Sequence, residues 1–198
     1  MTDLVTREAP ATVRRPIDVD AASVAARALI EALGMDPSEP GLRRTPERIA
    51  RAYAELLTPR EFALTTFDND EDYDELVVAT DIPFTSVCEH HLLPFTGTAV
   101  VGYLPKDRIV GLSKLARVVD AFARRPQVQE RMTKQIADWL DDLLAPRGVG
   151  VVLTAEHSCM TVRGVRARGS STVTSAHTGL IRSDARTREE FFALARQH

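Results

Sequence analysis

Apolar residues recur at three- and four-residue spacing through Val128, Met132, Ile136, Trp139, Leu140 and Leu143, the clearest helical stripe in the chain. The pattern predicts a helix from about Pro126 to Leu144, closed by Pro146 and Gly148. Just before it, Leu115, Val118, Val119 and Phe122 line one side of a helix from Ser113 to Arg124, with Ser113 as its N-cap. Two further helices are expected near the start. Ala25, Leu29 and Leu33 share a face of one that Asp18 or Asp20 can cap and Gly34 ends. Ile49, Tyr53 and Leu56 form the buried stripe of another that starts at Thr45-Pro46 and stops at Thr58-Pro59.

Strand patterns begin at Leu76 with a β-branched run to Ile82, and continue from about Gly97 to Leu104. Val149 to Ala155 carries apolar residues on both faces and is expected at the centre of a sheet. A last strand is expected near Ser171 to Ser175, and Thr187-Arg188-Glu189-Glu190 reads as a capping box for a short helix carrying Phe191 and Leu194. The acidic stretch Asp68 to Glu75 lacks the glycine and the terminal glutamate of a calcium loop and reads as a solvated turn. The order of elements predicts an α+β fold with a largely antiparallel sheet. The expected organisation is an unstructured leader over residues 1–17, an N-terminal helical segment over 18–75 and a main domain over 76–198.

Composition narrows the function. A chain of 198 residues with 44% hydrophobic residues can bury a sizeable core. No apolar run is long enough to span a bilayer. The polar opening Met1-Thr2-Asp3-Leu4-Val5-Thr6-Arg7 has no secretory apolar core, so a cytoplasmic location and no membrane partner are expected. The net charge of −3 supplies no global field for nucleic acid, so an anionic ligand needs a local basic cluster. Candidates are Arg163, Arg166 and Arg168 in one group, and Lys114, Arg117, Arg124 and Arg125 in another.

The chain has only two cysteines, and both stand near histidines: Ser86-Val87-Cys88-Glu89-His90-His91, and far downstream His157-Ser158-Cys159. Cys88, His91 and Cys159 offer two thiolates and an imidazole, three donors where a structural zinc shell usually takes four. Other readings stand beside an open metal site: a disulfide, which a cytosolic chain rarely keeps, an ordinary buried cysteine, or a structural zinc with His90 or His157 as fourth ligand. A divalent metal with an open position lowers the pKa of water bound there, and His90 and His157 could move protons beside it. His157 and Cys159, two apart, would project from the same face of an extended segment. Gln129 and Glu130 could read a planar base edge, or Glu130 could simply favour a helix start. Ser113 and Lys114 at a helix N-terminus could bind phosphate, or merely cap it.

Four runs together resemble the GTP cyclohydrolase I family: Ser86-Val-Cys-Glu-His-His91, Gly111-Leu-Ser-Lys-Leu-Ala-Arg117, Arg125-Pro-Gln-Val-Gln-Glu-Arg-Met-Thr133 and His157-Ser-Cys-Met-Thr-Val-Arg-Gly164. The resemblance extends over about residues 20 to 196. It implies the tunnelling fold, an antiparallel four-stranded sheet with two helices on one face, whose copies form rings, two pentameric rings stacking into a homodecamer with active sites between subunits. It implies one Zn2+ per subunit on Cys88, His91 and Cys159, and GTP as substrate. His157 then protonates the guanine ring at N7, with His90 assisting. Gln129 and Glu130 hold the guanine edge, and Ser113, Lys114, Arg117 and Arg163 face the triphosphate and ribose. The implied reaction is hydrolysis at C8 to 7,8-dihydroneopterin triphosphate and formate, the first step of tetrahydrofolate biosynthesis. Two rivals remain from the sequence: the nitrile reductase of queuosine synthesis on the same fold, and a non-catalytic purine- or pterin-binding assembly with a structural zinc.

Overall fold

Long β-branched and aromatic runs give this chain its frame. In the computed structural model, which describes residues 16–60 and 62–196, β1 (Thr66–Asp68), β2 (Val77–Cys88), β3 (Pro94–Leu104), β4 (Arg108–Val110), β5 (Pro126–Gln127), β6 (Gly148–His157) and β7 (Thr172–His177) are the strands. The helices are α1 (Val19–Ala32), α2 (Thr45–Leu57), α3 (Leu112–Ala123), α4 (Gln129–Leu144), α5 (Ser158–Thr161), α6 (Gly179–Ser183) and α7 (Ala185–Ala195). The leader expected over 1–17 falls almost wholly outside the described residues. Contacts divide the described chain after Thr58 into two units.

The first unit is a helical hairpin. Asp18 caps α1 by accepting from the Ala21 N–H at 2.9 Å, and Gly34 ends it at φ +81°. Its buried positions are Ala26 and Ile30. Leu29 and Leu33, on the face the spacing singled out, are 55% and 65% exposed. In α2 the buried positions are Pro46 and Ala50, with Ile49, Tyr53 and Leu56 half-buried. Thr45 is already helical, and Arg44 holds the cap position without a side-chain bond.

The second unit is built on one five-stranded sheet in the order β5-β2-β3-β6-β7. Four strands are antiparallel neighbours, as expected. The fifth, β5, is only two residues long and runs parallel to β2, pairing Val87 with Pro126 and Cys88 with Gln127. β6 is an interior strand, between β3 and β7; it buries Val149, Val151, Leu153 and Ala155 on one face, while Val152 and Thr154 on the other are half-buried. Gly97 permits the β3–β6 approach: a Cβ there would stand 1.9 Å from the Thr154 carbonyl oxygen. α3 and α4 bury Leu115, Val118, Val119, Phe122, Met132, Ile136 and Leu140 in one core with Phe84, Phe95, Val101, Val151 and Leu153 of the sheet. A second cluster, Leu76, Leu104, Ile181 and Phe191, seats α6 and α7.

Several expected boundaries shift for local reasons. Ser113 is not the N-cap of α3: Gly111 is, in extended backbone, and its carbonyl already accepts from the Lys114 N–H at 2.8 Å. α4 starts at Gln129 rather than Pro126, because Pro126 and Gln127 are drawn into strand pairing and Val128 stays extended. It ends at Ala145, a left-handed residue at φ 43°, before Pro146 is reached. Thr187 does not cap α7. Asp184 does, accepting from the Thr187 N–H and hydroxyl, both at 2.8 Å. His157 closes β6 but Cys159 lies in the helical turn α5, so the two do not share a strand face. Asp70 to Glu75 is exposed, as a solvated turn should be.

Candidate metal centre and its surroundings

β2, β3 and β6 present one common end. β2 finishes at Cys88, β3 begins at Pro94, and β6 finishes at His157, whose partner across the ladder is Phe95. The connection between β2 and β3 turns at once: Cys88 N–H donates to the Leu93 carbonyl at 2.8 Å, Leu92 N–H donates to the Cys88 carbonyl at 2.8 Å, and Leu92 takes a φ of 54°. That turn brings His91 back over Cys88, with Nδ1 3.8 Å from Cys88 Sγ. The turn of α5 brings in Cys159 from the β6 side. The donor atoms of Cys88, His91 and Cys159 all lie within 4.8 Å of one another.

Those separations suit one ion. With zinc–sulfur and zinc–nitrogen bonds near 2.3 and 2.0–2.1 Å, two donors of a tetrahedral centre stand about 3.5–4 Å apart. The chemistry of the set agrees. Both thiols are free. Burial pushes the Cys159 thiol up, and its neighbour Cys88 adds to the rise, because two adjacent thiolates repel. A divalent cation between them removes that penalty. His91 is exposed while Cys88 is buried and Cys159 half-buried, so the group opens outward.

His157 lies flat against Phe95, with ring centroids 4.5 Å apart and planes within 9°. Its Nε2 is 2.7 Å from Gln129 Oε1. The Gln129 amide nitrogen is already spoken for: it donates to the Leu153 carbonyl at 3.1 Å, the Thr172 carbonyl at 3.0 Å and Thr174 Oγ1 at 3.1 Å. Two of these are carbonyls, which can only accept, so the nitrogen must face them and the oxygen must face His157. His157 therefore carries a proton on Nε2 and turns Nδ1 away from Gln129. Burial pushes the imidazole below its ordinary pKa, and the charge of Glu130 pulls it partly back. Gln129 is 2% exposed and its side chain points into the protein rather than toward an open edge, while Glu130, the next residue, is exposed.

The remaining expected residues fall into two places. His90 stands by the donor group, exposed, with Nδ1 3.9 Å from Cys88 Sγ and Nε2 3.9 Å from Glu89 Oε1. Arg163 is exposed just beyond α5, close enough for its charge to lower the Cys159 thiol slightly against the larger upward effects. Ser113 and Lys114 sit in the first turn of α3, and Arg117 near its middle. That helix meets the donor end only at its C-terminus, where Ser86 Oγ donates to the Ala123 carbonyl at 2.7 Å. Its 12 residues span about 18 Å. Lys114 donates to the Ala63 carbonyl at 2.7 Å. Arg117 lines an open cavity of about 320 Å³ with Arg60, Phe62, Ala116 and Asp120. Ser113 and Lys114 thus lie in the turn of α3 farthest from the helix end that meets the donor side.

Sequence reasoning missed Glu89 and Arg131, which form an ion pair beside the donor turn, the Arg131 hydrogen bond holding the Glu89 carboxyl below the usual range. Their adjacency in sequence to Cys88 and Gln129 was the available signal.

Three clustered donors whose histidine faces solvent, with a hydrogen-bonded histidine nearby, are the layout of a metal-assisted hydrolytic enzyme. The family described as GTP cyclohydrolase I matches residues 22–196. "GTP cyclohydrolase 1" of Aquifex aeolicus is 50% identical over 91% of this chain and 98% of its own length. The Mycobacterium bovis protein of the same name is 52% identical over 96% of each chain, and that of Streptomyces avermitilis 50% identical over 98% of each. The chain belongs to the GTP cyclohydrolase I family, and its fold is α+β, as expected. Among solved structures, an apo archaeosine synthase QueF-Like is similar over 53% of this chain and 94% of its own, at 17% identity and a TM-score of 0.45.

Proposed function

We propose that this protein hydrolyses GTP at C8, releasing formate and leaving 7,8-dihydroneopterin triphosphate, the entry to tetrahydrofolate synthesis. The observation that carries the reading is the convergence of Cys88, His91 and Cys159 within 4.8 Å at the sheet end that also holds His157. Cys88, His91 and Cys159 would hold one Zn2+, which supplies Lewis acidity and brings the pKa of water it binds toward neutrality.

The chain's own residues account for the rest. His157, fixed by Gln129 and Phe95, has Nδ1 free to carry a proton to N7 as water adds at C8, and the C8–N bonds then open in two hydrolytic steps that release formate. The freed amine is left to close on the rearranged ribose carbon. Gln129 serves by orienting His157, and the exposed Glu130 carboxylate can accept from the two N–H groups of the guanine edge. His90, exposed at the same turn, assists proton movement. Arg163 beside the donor group, and Ser113, Lys114 and Arg117 from α3, balance the triphosphate, which a chain of net charge −3 would otherwise repel.

The length of α3 supports a site completed by a neighbouring copy, and two stacked pentameric rings would place one copy's α3 at the next copy's donor group. No described helix is long and apolar enough to cross a membrane, and both cysteines are free, in keeping with a cytoplasmic enzyme. The rival readings lose ground here. The nitrile reductase has no use for a shared Cys–His–Cys group, and a non-catalytic staple has no use for a half-buried histidine locked into one tautomer. Metal analysis of the purified chain, paired with assay of formate and of a fluorescent pterin after oxidation, tests the proposal. Zinc near one per chain and formate matching GTP consumed are expected; zinc without formate would sink it.

A further inference from the structure

The turn carrying Cys88 and His91 projects past the end of the sheet, and backbone bonds from Cys88 to Leu93 and from Leu92 to Cys88 close it. Glu89 ties the turn to the body of the protein through its backbone and its side chain. The Glu89 N–H donates to the Gln127 carbonyl at 3.1 Å, and its carboxylate accepts from Arg131 Nη2. Arg131, in the first turn of α4, is itself held: Nε donates to Gln127 Oε1 at 3.2 Å and Nη2 also reaches the Pro126 carbonyl at 3.3 Å. Gln127 is 1% exposed, and its amide donates to the Phe122 carbonyl at 2.9 Å and to Gln135 Oε1 at 3.1 Å. A chain of directional bonds therefore runs from the core helices through β5 to the single residue between the donor Cys88 and the histidine pair.

We propose that Arg131 is a positioning residue for the metal centre, clasping the donor turn through Glu89 so that Cys88 and His91 are already set for one ion. This rests on reading Cys88, His91 and Cys159 as the zinc site. Both partners are partly exposed, at 43% and 32% for Arg131 and Glu89, so the pair contributes little to global stability. Its effect falls instead on the donors: a loose turn must be ordered when metal binds, and outer partners of this kind typically alter metal affinity by about 10–100-fold. Arginine suits the place because its planar fork meets three acceptors at once, where lysine offers a single point charge.

The test is zinc affinity of the full chain by competition with a graded chelator, alongside the thermal midpoint of the zinc-stripped form. Arg131→Ala should raise the zinc dissociation constant about 10–100-fold, and Glu89→Gln should do nearly the same. Arg131→Lys should fall between Arg131→Ala and the parent. The double variant should be no weaker than the worse single one, because both act through one contact. The zinc-stripped midpoint should move by no more than about 2–4 °C. Zinc affinity of Arg131→Ala and Glu89→Gln within twofold of the parent would overturn the clasp, as would weakening that merely follows a falling zinc-stripped midpoint. Should Arg131→Ala fail to fold, the near-isosteric Glu89→Gln decides alone. A parent that takes up no zinc, or a Cys159→Ala variant that binds it as tightly as the parent, overturns the metal-site reading itself and is told apart by that control.

Discussion

Gln129 Oε1 lies 2.7 Å from His157 Nε2, and the same amide's nitrogen is held by Leu153, Thr172 and Thr174. α4, β6 and β7 are joined at this one side chain, and the tautomer of His157 is written by the two carbonyls behind it. Replacing Gln129 with Met keeps the bulk and removes all four bonds. The expected outcome is a loss of about 1–3 kcal/mol in stability and a fall of about 10–100-fold in kcat as the imidazole loses its orientation. KM for GTP should change much less. Steady-state kinetics with GTP check it, and a variant that loses KM but keeps kcat would return Gln129 to the guanine edge.

His157→Ala leaves the three donors in place. It should keep zinc near one per chain while turnover drops by about 100- to 10,000-fold, the usual span for a general acid. Cys159→Ala is the complementary case, removing a half-buried thiol from α5 without touching the sheet. Metal should be lost along with activity, while far-ultraviolet circular dichroism stays that of the parent. Metal analysis of the two variants side by side separates the roles.

Arg163 is exposed beyond α5, on the donor side of the protomer. Arg163→Ala should raise KM for GTP by roughly tenfold or more and leave binding of guanosine, which has no phosphates, almost unchanged. Equal effects on both ligands, read by calorimetric titration, would remove Arg163 from the phosphate set.

His177 ends β7 packed edge-on against the rings of Phe191 and Phe192, with centroids 5.9 and 5.4 Å away, and its Nε2 is buried without a hydrogen-bond partner. Burial, and then the charge of Arg188, holds its imidazole below the ordinary value. The unfolded chain therefore takes up the proton more readily than the folded one. The stability this group contributes is complete above the unfolded value of about 6.5, and it drains away as pH falls from there toward the lower folded value. The thermal midpoint of the parent should drop between pH 7 and pH 5 more steeply than that of His177→Phe; equal slopes would place the acid sensitivity elsewhere.

Much of this was legible in the chain, for identifiable reasons. α4 announced itself because its buried positions keep helical spacing from Met132 to Leu140. The donor set was legible because both cysteines stand near histidines. What escaped the sequence depends on distant partners. Nothing near Gln129 shows that Thr172 and Thr174 will arrive within reach of its amide. Nothing near Pro126 shows that two residues will pair in parallel with β2 and delay the start of α4. Ser113 and Thr187 carried the right side chains for caps, yet Gly111 and Asp184, slightly earlier, took those positions first. The exposed face of α1 at Leu29 and Leu33 shows the same limit, since spacing gives a face without saying what covers it.

With Lys114 and Arg117 in the first half of α3 and the Cys–His–Cys group beyond its C-terminal end, each polypeptide is, on the proposed assembly, a contributor to two different catalytic centres and the owner of neither. Complementation follows. A chain crippled at Cys159 and another crippled at Lys114 and Arg117 should each be silent alone, yet co-assembled in equal amounts they should recover about a quarter of the parental rate, from junctions where both intact halves meet. Inheritance of a defect in this protein would accordingly be decided by which neighbours a damaged copy is seated between.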